Sequence, residues 1–258
     1  MISKQQIKTI HSLRLKKFRD ESNLFLGEGP KVVKELLQSF SCTFLAATPS
    51  WIDANRHILP PGINCIAISA DDLGRASLMD APQQVLAIFN KKPSQLPSAH
   101  AMQSKLCLAL DTIQDPGNLG TIIRLARWFG IDHIVCSPET ADIYSTKTVQ
   151  ATMGALGKVN VAYTPLPQWL CSLPEDIPIY GTFLNGSNIY EASLTPNGII
   201  VMGNEGRGIS PQVADCISHR LYIPPYPLGQ PDIESLNVGI ATAITCAEFR
   251  RRLSAAQQ

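Results

Sequence analysis

The sequence predicts an α/β protein: a mostly parallel sheet forms its larger C-terminal part, and a smaller α/β unit precedes it. Three observations lead there. From Leu106 onward, short buried-type strands (Leu106–Leu110, His133–Cys136, Asn160–Tyr163, Ile179–Thr182, Gly198–Met202 and Leu221–Ile223) alternate with helical segments, the pattern of a parallel sheet covered by helices on both faces. Upstream, helical patterns mix with strand-like runs at Thr43–Ala47, Cys65–Ser69 and Gln84–Phe89, and Gly29-Pro30 opens a helix. Between the two lies Lys91-Lys-Pro-Ser-Gln-Leu-Pro-Ser-Ala-His100, polar and without apolar periodicity, which reads as a linker. The expected organisation is a first domain over 1–92, a linker over 93–104 and a second domain over 105–258, a length that suits two cores.

Composition narrows the classes. A hydrophobic fraction of 45% with moderate charge is that of a soluble globular protein, and no apolar run is long enough to cross a bilayer. No membrane partner is expected. The N-terminus alternates apolar and basic residues and lacks a secretory core, so a cytoplasmic location is expected. The seven cysteines (42, 65, 107, 136, 171, 216 and 246) are odd in number, scattered and free of Cys-x-x-Cys or Cys/His clusters. They read as small core residues in a reducing compartment, and no metal is expected.

Net charge is only +1, so affinity for a polyanion must come from local patches. The best is Lys4, Lys8, Arg14, Lys16, Lys17 and Arg19, interleaved with Ile7, Ile10, Leu13 and Phe18; a solvated helix face explains it equally well. The last helix, Leu236 to about Ala255, carries Arg250-Arg251-Arg252, which the helix macrodipole alone accounts for.

Ligands of parallel α/β sheets bind beyond the carboxyl ends of the strands, so the chemistry is expected in three loops. After the first strand of the second domain comes Asp111-Thr-Ile-Gln-Asp-Pro116-Gly117-Asn118-Leu-Gly-Thr-Ile-Ile-Arg124: Pro116-Gly117 makes the turn, Asn118 is placed to cap the helix, and Arg124 follows under two turns on. After the fifth comes Gly203-Asn-Glu205-Gly206-Arg-Gly208-Ile-Ser210-Pro211, three glycines around one carboxylate. Its spacing is neither the dinucleotide fingerprint nor a phosphate loop, which also counts against a nucleotide-cofactor dehydrogenase. After the sixth, Ile223-Pro224 leads through a proline-rich stretch to Ser235-Leu236-Asn237-Val238, where Ser235 or Asn237 caps the last helix. Taken one at a time, caps and tight turns are sufficient accounts of these residues.

In combination and in order, the three loops resemble the three motifs of the SpoU/TrmH family of RNA 2′-O-ribose methyltransferases. Ser145-Thr-Lys-Thr-Val-Gln-Ala-Thr-Met-Gly-Ala-Leu156 is similar to the family's helix between its first two motifs. The first domain resembles the family's N-terminal substrate-binding domain in Gly27-Glu-Gly-Pro-Lys-Val-Val33 and Ala81-Pro-Gln-Gln-Val-Leu-Ala87. The resemblance implies a small ribosomal-protein-like α/β domain followed by a catalytic domain with a deep trefoil knot, a homodimer, and methyl transfer from S-adenosyl-L-methionine to a ribose 2′-hydroxyl of structured RNA. The RNA is expected to be rRNA, with tRNA the alternative. The resemblance makes Arg124, Asn118, Glu205, Ser235 and Asn237 the catalytic set, and Gly203, Ile223 and Leu236 the cofactor contacts. A catalytically silent RNA-binding or ribosome-assembly protein of the same fold is the competing expectation. Three departures from the family pattern stand out. The stretch from Pro224 to Ser235 is longer and carries Pro225 where methionine is common, Gln150 stands where arginine is frequent, and Gln84 replaces a glycine.

Overall fold

The computed structural model describes residues 2–227 and 235–255; most of the lengthened loop before Ser235 lies outside them. The chain runs through α1 (Lys4–Ser12), α2 (Lys16–Ser22), β1 (Leu24–Glu28), α3 (Pro30–Leu37), β2 (Cys42–Ala47), α4 (Pro49–Asn55), β3 (Cys65–Ala67), α5 (Ala70–Ala76) and β4 (Val85–Asn90). It continues through α6 (Ala99–Ser104), β5 (Leu106–Leu110), α7 (Pro116–Trp128), β6 (His133–Cys136), α8 (Thr146–Ala151), β7 (Asn160–Tyr163) and α9 (Leu166–Cys171). It closes with β8 (Ile179–Asn188), β9 (Gly198–Met202), α10 (Pro211–Ala214), β10 (His219–Tyr222) and α11 (Val238–Ala255). Two compact units result: Met1–Pro93 with Asp142–Lys158, and Ser94–Ala141 with Val159–Gln258.

The first unit is built on a four-stranded sheet in the order β1-β4-β2-β3. The sequence reading missed β1, because Gly27-Glu28-Gly29-Pro30 has the look of a turn. Gly27 is instead a strand residue that lets α3 close on the sheet: a Cβ there would stand 2.7 Å from Leu36 Cδ1. One face of the sheet buries Leu26, Ala46, Leu86 and Ile88 together with Ile10 and Leu13. The other carries Phe25, whose ring meets Phe40, Phe89 and Tyr144 at centroid distances of 5.0, 5.5 and 4.8 Å. Gln84 has φ of +38°, a backbone state suited to glycine.

Tyr144 marks a departure from the expected domain division. Residues 142–158, which the sequence places in the second domain, pack in the first unit. The clearest tie is Arg19, 3% exposed. It donates through Nε and Nη2 to Asp142 Oδ2 (3.1 and 2.6 Å) and through Nη1 to the carbonyls of Leu13 and Arg14 (both 2.8 Å). Arg19 is therefore an internal strut and leaves the basic patch. Gln150, at the position where the family favours arginine, donates to the Glu28 carbonyl at 2.7 Å, and Lys158 pairs with Glu35 at 2.5 Å.

The second unit holds a six-stranded sheet, β10-β8-β9-β5-β6-β7, parallel at every pairing. β5 and β9 bury every residue, as central strands covered on both faces must. From β5 the chain continues to β6 on one side, whereas from β9 it passes through α10 to β10 on the other. Adjacent strands whose connections diverge leave a crevice at their carboxyl ends, the topological switch point. The arginines of α11 are structural. Arg250 Nε donates to the Phe129 carbonyl at 2.7 Å and closes the C-terminal end of α7, while Arg251 and Arg252 both clasp Glu248. The expected linker contains a helix, α6. Cys107, Cys136 and Cys246 lie in the core as expected, but Cys171 is exposed.

Removing one partner of a desolvated ion pair strands the other, so Arg19→Met is expected to cost about 3–5 kcal/mol of stability. Urea unfolding checks this; a loss below ~1 kcal/mol would mean that Asp142 finds another partner or water.

Candidate active site

The crevice between β5 and β9 is assembled from backbone outward. Asp111, 4% exposed, extends β5 by donating its amide to the Met202 carbonyl at 2.9 Å. Its carboxylate accepts from the Ser210 amide at 2.7 Å, tying the end of the glycine-rich loop to β5. Thr112 follows with φ of +60°, costly for a β-branched residue. Hydrogen bonds hold it there: its amide donates to Ser137 Oγ at 2.9 Å, and its carbonyl accepts from Asn204 Nδ2 at 2.7 Å.

Asn204 also closes its own loop. Its Oδ1 accepts from the amides of Gly206 and Arg207, both at 3.0 Å, and its backbone exchanges two hydrogen bonds of 2.9 Å with Gly208. Gly203 has no room for a side chain, since a Cβ would sit 2.3 Å from Gly208 C and Ile209 N. Gly208 has φ of +70°.

Asp115, not Asn118, is the N-cap of α7. Its carboxylate accepts from the Asn118 amide at 2.8 Å, with Pro116 in the first helical position. The sequence reading put the cap on Asn118 because it follows the Pro-Gly turn, but that turn is already helical. With its backbone inside the helix, Asn118 has its side chain free to bridge loops: Nδ2 donates to Glu205 Oε1 and Oδ1 accepts from Asn237 Nδ2, both at 3.0 Å. Asn237 in turn accepts the amides of Gly239 and Ile240 on its Oδ1, at 2.9 and 3.3 Å, and so caps the start of α11. Asn118, Glu205 and Asn237 thus form one relay across all three loops.

The other expected residues stand outside it. Arg124 lies on the exposed face of α7, and no hydrogen bond or ion pair engages its guanidinium among the described residues. Ser235 is exposed at the edge of the last loop. Gly203 is buried at the end of β9, Ile223 is half-buried, and Leu236 is 41% exposed. The sequence reading overlooked Asp111, Thr112, Asn204 and Asp115; an aspartate at the end of a fully apolar strand and an asparagine inside a glycine run were the available signals.

Asn118, Glu205 and Asn237 thus join three loops at the carboxyl ends of a parallel sheet, which is where α/β domains of this architecture bind their ligands. The SpoU rRNA methylase family model matches residues 105–247, and an MRM3-like substrate-binding domain model matches residues 4–87. A 23S rRNA (guanosine(2553)-2′-O)-methyltransferase of Bacillus subtilis is 33% identical over 250 residues, 95% of this chain and 96% of that one. Among solved structures, a TrmH-family protein from Porphyromonas gingivalis superposes with a TM-score of 0.87 at 41% identity, covering 98% of this chain and 99% of that one. An AdoMet-bound rRNA methyltransferase from Sinorhizobium meliloti gives 0.84 at 29%, covering 98% and 97%. The chain belongs to the SpoU rRNA methylase family, S-adenosyl-L-methionine-dependent RNA 2′-O-ribose methyltransferases.

The loop's backbone closure gives a direct test. Gly203→Ala drives a methyl group into main chain that cannot give way cheaply, and is expected to cost about 1–3 kcal/mol. Thermal unfolding checks it, and an unchanged midpoint would mean that the loop opens without loss.

Proposed function

We propose that this chain methylates a ribose 2′-hydroxyl of ribosomal RNA in the cytoplasm, with Asn118, Glu205, Asn237, Ser235 and Arg124 as its catalytic set. The observation that carries the reading is the Asn237–Asn118–Glu205 relay at the switch point, with Arg124 left unengaged nearby on the same helix as Asn118. S-adenosyl-L-methionine supplies an electrophilic methyl group. Half-buried Ile223 and exposed Leu236 offer the apolar surface that an adenine face requires, and Gly203 is the third contact.

Arg124 holds the ribose and its phosphate in place. A guanidinium stays protonated and presents five donors in a planar fork, which suits it to clamp a phosphate and to hydrogen-bond the reacting hydroxyl rather than to take its proton. Glu205, oriented by Asn118, offers acceptors only. It positions a hydroxyl or an arginine of the substrate loop, and the exposed Ser235 hydroxyl adds a further hydrogen bond. Alignment of the reacting atoms is the main contribution of such a site.

The first unit is the RNA-binding domain in this reading. Lys4, Lys8 and Arg14 are exposed, as are Lys16 and Lys17, which pair with Asp20 and Glu21, and Phe18 is 39% exposed, side chains of the kinds that contact phosphates and stack on bases. The ribosomal-protein-like character of this unit and the trefoil knot of the second are proposed on family membership. β10 lies at the edge of the sheet and α11 packs against α7, an arrangement with which the knot is compatible. The active form is a homodimer, supported by exposed apolar side chains on those two helices, Trp128 at 83% and Ile240 at 54%.

The function is tested with labelled S-adenosyl-L-methionine and total RNA from a strain lacking the gene, followed by nucleoside analysis. Label in a 2′-O-methylnucleoside of ribosomal RNA is expected; cofactor binding without transfer to any RNA would favour the silent RNA-binding alternative. Arg124→Ala is expected to lower transfer ~100-fold or more while calorimetric affinity for S-adenosyl-L-homocysteine stays within about threefold, because the arginine acts on RNA alone. Parallel loss of both would overturn its assignment. Ile240→Glu is expected to shift the protein from dimer to monomer in sedimentation, and a wild type that sediments as a monomer would refute the dimer.

A further inference from the structure

Cys171, at the end of α9, and Cys216, just after α10, meet at the surface of the second unit with their Sγ atoms 2.6 Å apart. That is within roughly 0.5 Å of a disulfide bond length. α9 and α10 pack directly on one another, so bond formation demands only a small side-chain adjustment. Cys171 is exposed and Cys216 half-buried, whereas Cys107, Cys136 and Cys246 are buried out of reach of a dissolved oxidant.

We propose that Cys171 and Cys216 form a reversible dithiol–disulfide modification site whose oxidant is hydrogen peroxide. Cys171, the more exposed of the two, attacks as thiolate: a sulfur–oxygen bond forms, the peroxide O–O bond breaks and hydroxide leaves, giving a sulfenic acid. Cys216 then attacks that sulfur, the S–O bond breaks, and the oxygen leaves as water once protonated. In sum, two thiols and one peroxide give one disulfide and two waters, and the sulfurs lose two electrons. The assignment of roles follows access to the oxidant, since Cys171 is exposed and Cys216 half-buried. The cross-link closes a ring through residues 172–215, the stretch that carries β8, β9 and the Gly203–Ser210 loop with Glu205. Oxidation therefore restrains the loop that holds the catalytic carboxylate.

The full-length protein, reduced and then freed of reductant, is titrated with hydrogen peroxide. The thiol count in denaturant is expected to fall from seven to five, that is, by the two sulfurs of the pair. Peptide mass spectrometry without reductant should recover Cys171 linked to Cys216, and dithiothreitol should restore all seven. Cys216→Ser should trap Cys171 as a dimedone-reactive sulfenic acid, and Cys171→Ser should abolish the cross-link. In the oxidised wild type, amide exchange across residues 203–210 should slow. Seven thiols persisting in the wild type, or a disulfide mapped to another pair such as Cys42 and Cys65, would overturn the proposal; a cross-link that left exchange at 203–210 unchanged would overturn its tie to the site.

Discussion

The orientation of one side-chain amide, that of Asn237, orders the candidate active site. The first amides of α11 lack partners within the helix, and Asn237 turns its oxygen toward two of them, those of Gly239 and Ile240. Its nitrogen then points away and can only donate, so Asn118 must present its own oxygen and is left with its nitrogen for Glu205. A local requirement of helix capping thus propagates, through two amides with no freedom to flip, to the carboxylate of another loop. Because α7 and α11 pack against one another, the relay spans elements already held at fixed separation. It therefore gives up little further conformational entropy.

The relay rests on backbone that would not hold its shape alone. Thr112 in a left-handed conformation costs about 1–2 kcal/mol, and such strain persists only when neighbours over-determine it. Here Ser137 fixes its amide, Asn204 its carbonyl, and buried Asp111 pins the far end of the Asn204 loop through Ser210. The turn that delivers Asp115 and Asn118 and the loop that delivers Glu205 are consequently one body. Among the described residues nothing engages the Arg124 guanidinium, which the proposed function gives to an anion. In the proposed function the two polarities come from Glu205, as acceptor, and Arg124, as donor, the pair that recognition of a ribose hydroxyl beside a phosphate requires.

The sheet of the second unit was legible because central parallel strands are short apolar runs bounded by turn residues. Four of the six ranges read from sequence match the structure residue for residue, from Leu106–Leu110 to Gly198–Met202, while β8 runs on to Asn188 and β10 starts earlier, at His219. Periodicity says nothing about which sheet a helix docks on, and so the passage of residues 142–158 into the first unit was hidden; Arg19 and Asp142 lie 123 residues apart. For the same reason Arg19 looked like a surface charge. Of the expected catalytic residues, the structure brings together Asn118, Glu205 and Asn237, whose contacts are side-chain hydrogen bonds between folded elements. Arg124 and Ser235 stay apart from them, since their proposed partner is an RNA rather than another part of this chain.

The glycine-rich loop shows how a composition can be read correctly in kind and still mislead about its use. Three glycines in six residues do imply left-handed backbone and close approach, and Gly208 and Gly203 supply them. The close approach, however, is of the loop to itself, and its amides are spent in the closure: those of Gly206 and Arg207 on Asn204 Oδ1, that of Gly208 on the Asn204 carbonyl. Phosphate-binding loops with similar glycine content work by leaving N–H groups free to converge on an anion. With these amides satisfied internally, what the loop offers a ligand is its side chains, the Glu205 carboxylate and the exposed Arg207 guanidinium. The glycines of this loop therefore shape its closure and are no sign of a phosphate-binding nest; phosphate recognition in the proposed function falls to a side chain, Arg124 on α7.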